Sequence, residues 1–371
     1  MSWTRSKFIV GAKKATAFVV ICGLIFVIVE GLSSTTIAVF QVLRKPSPSE
    51  AIRYDKSLGW IDIPSTYIPD MYGSGKYVRT NARGFRNDDE TEVTMPNGKF
   101  RIICSGNSFT YGEGVANNRT WCHRISELNN RFETVNMGQL GYGVDQMFLR
   151  YLRDGIVLEH SIHIFAFVES DLSRMALRSL LGYGKPVLKL DHEVLVADNV
   201  PVPRFRWWVS RALKRADLRS VDFAKRVLAR LFNQKSDGPT IGPTIIERVG
   251  PVASKVFQTV QRLSDEKNVV PVFVFLPAEY NIGKDTAWHS WVVATMDTLE
   301  LPFIDLTPAL RSVPATRAAT FFIPEWMPAG GHYTEAGNEW VAEKLYSRLK
   351  EISQIRTLLA GTESPQLGIG Q

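Results

Sequence analysis

The 371 residues, 45% hydrophobic and 22% charged, suffice for one sizeable globular core with attachments and exclude a disordered chain. Forty-four basic side chains stand against 37 acidic ones, giving +7, yet ten basic and only two acidic residues fall between Arg204 and Lys235. That one segment exceeds the whole excess, which excludes a global field for nucleic acid and leaves any electrostatic partner local.

From Ala15 to Val29 the chain runs ATAFVVICGLIFVIV without a charge, and a softer apolar stretch continues past Glu30 through Phe40. A helix crossing about 30 Å of hydrocarbon needs roughly 20 residues, so the span takes in the Glu30 to Phe40 shoulder, with Glu30 near an interface or facing protein. Arg5, Lys7, Lys13 and Lys14 precede the run, whereas only Arg44 and Lys45 closely follow it. This bias places the N-terminus in the cytoplasm and the large C-terminal part outside, single-pass in the cell (inner) membrane. Gly31, Ser33 and Ser34 leave a cleaved signal peptide as the competing reading. Both readings export the main domain.

Pro46 to Glu50 is a linker, and Tyr54 to Arg86, rich in Gly, Pro and aromatics, reads as an extended or β-rich collar. An α/β pattern starts at Phe100. The apolar strand Arg101 to Cys104 runs into Ser105-Gly106-Asn107-Ser108, and a helix follows near Arg119. A second strand and turn span Thr134 to Gly143, then a helix from about Val144 to Asp154. The strand His163 to Val168 ends at Glu169-Ser170-Asp171. Lys185 to Pro203 resembles a hairpin around Asp191-His192. The rhythm resumes with a helix near Ile245 to Glu266, strands at Val270 to Leu276 and Pro302 to Leu306, and a helix from about Thr334 to Ile352. The expected layout is residues 1–45 as cytoplasmic stub and anchor, 46–99 as linker and pre-domain, 100–352 as the main domain with an insertion at about 174–242, and 353–371 as a flexible tail. Strands alternating with helices imply a parallel sheet covered on both faces. Cys104 on a buried strand and Cys122 in the next helix leave at most one possible disulfide and read first as two small buried thiols. With Cys22 in the apolar run, no disulfide scaffold and no metal-like cluster remain, and neither metal nor cofactor is expected.

Chemistry is expected at the carboxyl ends of the strands. Gly106-Asn107-Ser108-Phe109-Thr110-Tyr111-Gly112-Glu113-Gly114-Val115 offers a hydroxyl in a tight glycine-flanked turn, with backbone N–H groups near a developing oxyanion. Gly138, at the second exit, offers a bare N–H to the same point. Gly330-Gly331-His332 brings an imidazole to the start of the last helix, able to take the serine proton. His123, His160, His163, His192 and His289 have no partner in the sequence, and surface or packing roles are their default.

In these blocks the chain resembles the SGNH/GDSL hydrolases, over about Phe100 to Leu349. Gly106-Asn107-Ser108 stands where that family has Gly-Asp-Ser, Gly138 matches its oxyanion glycine, Ser170-Asp171 its Asn-Asp pair, and His332 its catalytic histidine. Tyr54-Asp55, Leu58-Gly59-Trp60, Asn81 and Gly84-Phe85-Arg86 resemble the pre-domain of bacterial membrane-anchored members. The resemblance implies a three-layer α/β/α, flavodoxin-like fold with a central parallel sheet and an inserted cap. It also implies ester hydrolysis or acyl transfer outside the cell, often on carbohydrates. Catalysis then falls to Ser108 and His332, and the oxyanion hole to the Ser108 and Gly138 N–H groups with Ser170. Asn107, Asp171 and Glu325 support them.

Departures are as informative. The family's Asp two or three residues before the histidine is replaced by Ala329 and Gly330, so Glu325 orients His332 only if its loop folds back; otherwise a backbone carbonyl holds a Ser/His dyad. Ser170 is shorter than the family's asparagine, and Asn107 removes a charge beside the nucleophile. Asp171 reads as structural, a cap for the next helix. The expected partners are an acylated glycan or lipid and, through about residues 15–40, a membrane; nucleic acid is not expected. The alternative is an inactive relative that binds glycan or an assembly partner at the membrane. Phe205, Trp207 and Trp208 within the basic stretch suit either an anionic membrane surface, as in a lipid-directed esterase, or a solvated cap.

Overall fold

A computed structural model of the chain describes residues 2–42, 51–180, 183–203, 220, 243–327 and 329–360. The chain divides into two units, Met1–Pro46 with Trp208–Thr240 and Ser47–Trp207 with Ile241–Gln371. Apart from Ser220, the basic stretch from Arg204 to Lys235, with Phe205, Trp207 and Trp208, lies outside the described residues, as does the chain after Ala360.

In the first unit, Ser2–Val42 is a single 41-residue helix. Its stretch Thr16–Thr36, 21 residues with mean hydropathy 2.3, is long and apolar enough to cross a membrane. Phe18, Val19, Ile25, Val27 and Leu32 are each more than half exposed along it. The Glu30 carboxylate accepts a hydrogen bond from the Ser220 N–H at 3.0 Å, which gives this acid in an apolar helix a protein partner.

The second unit opens with two small antiparallel pairs, β1 (Ile52–Asp55) with β2 (Gly59–Asp62) and β3 (Tyr67–Ile68) with β4 (Val78–Arg79). The strands β5 (Phe100–Gly106), β6 (Phe132–Gly138) and β7 (Ile162–Phe167) follow, almost wholly buried. The insertion holds the short pair β8 (Ser179–Leu180) and β9 (Tyr183–Gly184) and the hairpin β10 (Val187–Asp191) with β11 (Val194–Asp198). His192 and Glu193 turn that hairpin with φ of 44° and 64°, the left-handed pair a two-residue turn demands. After β12 (Val270–Phe275) and β13 (Phe303–Asp305) the sheet is complete, in the order β13-β12-β7-β5-β6, with every neighbouring pair parallel.

Side-chain alternation splits this sheet between two cores. Ile162, Ile164, Ala166, Val272 and Val274 face the helices Trp121–Leu128 and Glu335–Leu349. Phe165, Phe167, Phe273 and Phe275 face the helices Val144–Arg150, Pro243–Glu266 and Ala287–Thr298. A period of two with both faces covered is why these strands read as continuous apolar runs. The result is the three-layer α/β/α fold.

Three differences from the sequence reading have physical causes. Cys104 and Cys122 form a disulfide, their Cα atoms 6.3 Å apart, because β5 and the helix after it pack face to face. The helix Ala287–Thr298, AWHSWVVATMDT, carries aromatic and β-branched residues that blur a helical pattern; it is started by the Thr286 side chain, which accepts from the His289 N–H. Residues Ser353–Ala360 form a helix with Ile355 buried, where the sequence reads as tail.

The pre-domain docks on the exit of β6 through buried polar contacts. Trp60 Nε1 donates to the Leu140 carbonyl at 2.7 Å, the Tyr142 hydroxyl donates to the Trp60 carbonyl at 2.6 Å, and Gln146 Nε2 donates to the Leu58 carbonyl at 2.8 Å. These satisfy groups that burial would otherwise leave unpaired.

Candidate active site

From β5 the chain moves to β6 on one side, then crosses to β7 on the other, so the carboxyl ends of β5 and β7 flank the topological switch point. Ser108 lies there, first residue of the helical turn Ser108–Tyr111, and its N–H has no intrahelical acceptor. Asn107 caps the turn, its Oδ1 accepting from the Phe109 N–H at 2.8 Å. Two glycines let the turn sit so close to the sheet. A Cβ at Gly106 would meet Thr110 Oγ1 at 1.9 Å, and one at Gly138 would meet the Tyr111 nitrogen at 2.2 Å.

His332 reaches Ser108 from the far end of the chain. Its Nε2 lies 2.8 Å from Ser108 Oγ, and its Nδ1 lies 3.0 Å from the Ala329 carbonyl. The carbonyl can only accept, so Nδ1 carries a proton, and in the neutral ring Nε2 is left bare toward the serine. The loop before it is tied by Ile323 N–H to the His332 carbonyl at 2.7 Å and by Gly331 N–H to the Ile323 carbonyl at 2.8 Å. Glu325 does fold back against Gly330 and Gly331, but the nitrogen it would have to hold is taken by the Ala329 carbonyl. Ala329 has a φ of 62°, the left-handed conformation that turns its carbonyl onto the ring. Phe109 packs on the other side, its ring centroid 4.8 Å from that of His332.

Asp171 sits at the exit of β7 and is fully buried. Its Oδ2 accepts from the Val168 N–H at 2.9 Å, and its Oδ1 accepts from Asn107 Nδ2 at 2.8 Å and Arg174 Nη1 at 2.6 Å. It caps its own helix and anchors Asn107, the residue before Ser108. Burial pushes its carboxyl up to about 6, against the lowering by Arg174 and these hydrogen bonds. Gly138 is level with Gly106 in the β5–β6 register, and its N–H donates to Asn136 Oδ1 at 3.0 Å. Ser170 lies in the first turn of the helix Glu169–Arg174, where its carbonyl accepts from Ser173 Oγ. No hydrogen bond among the described residues joins Ser170 to Ser108.

One carboxylate that the sequence reading left unassigned is here. Glu113 Oε2 lies 3.3 Å from His332 Nε2, the nitrogen that faces the serine. Its place between two glycines inside the Ser108 block was the available signal. Arg86, from the pre-domain, braces the same loop, its guanidinium donating to the Tyr111, Gly112 and Val115 carbonyls and to Asn117 Oδ1. Of the other histidines, His160, His163 and His289 are buried, whereas His192 is exposed on its hairpin turn. His163 Nε2 lies 2.9 Å from Ser105 Oγ in the core, and His289 Nε2 lies 2.8 Å from Asp305 Oδ2.

No family model and no curated protein matches the chain. Among solved structures it is similar to the lipase/acylhydrolase from Enterococcus faecalis, at 12% identity and TM-score 0.38, covering 68% of this chain and 96% of that one. A member of the lipolytic protein G-D-S-L family from Veillonella parvula DSM 2008 matches at 14% identity and TM-score 0.36, covering 67% and 97%. The acetyl xylan esterase AlAXEase matches at 14% identity and TM-score 0.35, covering 67% and 98%. The chain's own sheet order, five parallel strands as β13-β12-β7-β5-β6, is the flavodoxin-like, doubly wound α/β/α arrangement that its blocks lead one to expect.

Proposed function

We propose that this chain is a membrane-anchored serine esterase or O-acyltransferase of the SGNH/GDSL type, acting outside the cytoplasm on acyl esters of a glycan. The observation that carries it is the Ser108 Oγ to His332 Nε2 contact of 2.8 Å at the switch point, joining residues 224 positions apart. Nε2 takes the hydroxyl proton as Oγ attacks the acyl carbonyl. The imidazolium then returns that proton to the leaving alkoxide, giving an acyl-enzyme and a free alcohol. Water or a second hydroxyl, deprotonated by the same Nε2, releases the acyl group to yield acid or a transferred ester. The Ser108 and Gly138 N–H groups with Ser170 are the assigned oxyanion donors; for Gly138 this means exchanging Asn136 Oδ1 for the oxyanion.

The apolar helix with its basic N-terminal flank supports anchoring with the second unit exported. The Cys104–Cys122 disulfide fits an oxidising compartment. The glycan as acyl carrier rests on the block resemblance alone. The alternative, a non-catalytic glycan or partner binder, draws on the carbonyl that stands in place of an acid at Nδ1. A fluorophosphonate probe decides between them. It is expected to label the wild type and to leave Ser108→Ala and His332→Ala unlabelled; labelling that persists without Ser108 would reject the assignment.

A further inference from the structure

We propose that Glu113 is the charge partner of His332, in place of the acid missing before it, and that it acts on the nitrogen facing the serine. The inference rests on the hydrolase reading above. When the ring is neutral, as a general base must be, Nδ1–H is held by the Ala329 carbonyl and Nε2 is bare, so the Glu113 carboxylate, itself only an acceptor, gains nothing from it. Once the Ser108 proton has moved, Nε2–H lies between Ser108 Oγ at 2.8 Å and Glu113 Oε2 at 3.3 Å, and the carboxylate faces a full positive charge. An interaction made only after proton transfer lowers the barrier without tightening substrate binding.

The surrounding turn is built to present this side chain. The Glu113 and Gly112 N–H groups both donate to the carbonyl of Ser108 itself, at 3.0 and 2.9 Å. Gly112 and Gly114, with φ of 83° and 97°, place Glu113 on a reversal that residues with side chains resist. At Gly114 a Cβ would lie 2.3 Å from Ile323 Cδ1 and 3.2 Å from Ala329 Cβ, so the turn packs directly on the loop that carries His332. Arg86 grips the carbonyls on both sides of Glu113. Glu113 and His332 are both largely sheltered, with side chains 17% and 19% exposed, so solvent screens the pair less than on an open surface.

The full-length protein in detergent micelles, assayed with p-nitrophenyl acetate, tests this. Glu113→Gln is expected to lower kcat by about 10- to 100-fold with KM and thermal midpoint unchanged, and Glu113→Asp to recover part of the loss. Added formate should restore activity to Glu113→Ala, which a purely structural role would not allow. Wild-type kcat in Glu113→Gln, or a folded Glu113→Ala that formate leaves unaffected, would overturn the proposal while Ser108→Ala and His332→Ala remain inactive. Full activity in Ser108→Ala would instead remove the hydrolase reading beneath it.

Discussion

Asn107 stands where the SGNH pattern has an aspartate, and the space around it accounts for the exchange. Its amide donates at 2.8 Å to Asp171, a carboxylate with no exposure, so an aspartate here would set two buried acids against each other. Asn107→Asp is therefore expected to destabilise the protein by about 1–3 kcal/mol near neutral pH, and less at pH 5, where the pair keeps a proton. Thermal melts at the two pH values check it, and an equal loss at both would contradict the reading. Asp62 makes a second case. It is buried with Oδ2 unpaired, while Oδ1 accepts from Gln139 Nε2 at 3.0 Å, and burial pushes it up to about 6 despite Arg150 and Arg86 nearby. The native state thus holds protons between about pH 4 and 6 that the unfolded chain releases, so stability falls as pH rises through that window and stays lower above it. Asp62→Asn should raise the melting temperature at pH 7.5 and narrow its difference from pH 4.5. A lower midpoint at pH 7.5 would refute this.

Elements are held by two cross-ties that composition alone conceals. The disulfide joins β5 to the helix Trp121–Leu128 across 18 positions, and the loop it closes contains Ser108 and Glu113. Loop closure of this size contributes about 3 kcal/mol, so Cys104→Ala with Cys122→Ala should lower stability by about that amount in denaturant titration. An unchanged midpoint would show that the bridge does not form. The other tie is ionic. Lys185 Nζ meets Asp145 Oδ2 at 2.5 Å with neither side chain exposed, fastening the insertion to the first turn of the helix after β6. Lys185→Met would strand the Asp145 charge and is expected to cost about 3–5 kcal/mol, whereas adding Asp145→Leu should recover most of it. The double variant melting no higher than the single would disprove the account.

At the scale of the whole molecule, the proposed function divides the labour, with the long helix as tether and the α/β unit for chemistry. The full chain is expected to stay with membranes after an alkaline carbonate wash and to expose its α/β unit to protease only from the extracytoplasmic side. Release by the wash would favour the cleaved-signal reading. The parallel sheet was legible because strands buried on both faces must be continuously apolar, as Val270 to Phe275 are, and the Ser108 turn because its glycines permit approaches no other residue allows. The candidate site was legible only in part. Ser108, Gly138 and His332 sit in local patterns tied to strand exits, so residue order alone pointed to them.

The sequence by itself determined the long apolar helix, the alternation of strands and helices, and the residue types at each strand exit, since each depends on neighbours within a few residues. Tertiary structure alone decided that a carbonyl rather than Glu325 holds His332 Nδ1, that Glu113 meets the opposite nitrogen, and that Cys104 and Cys122 pair. The reason is physical: those contacts form between segments brought together by the packing of a shared core, and the separation of two residues along a chain does not fix their distance in space.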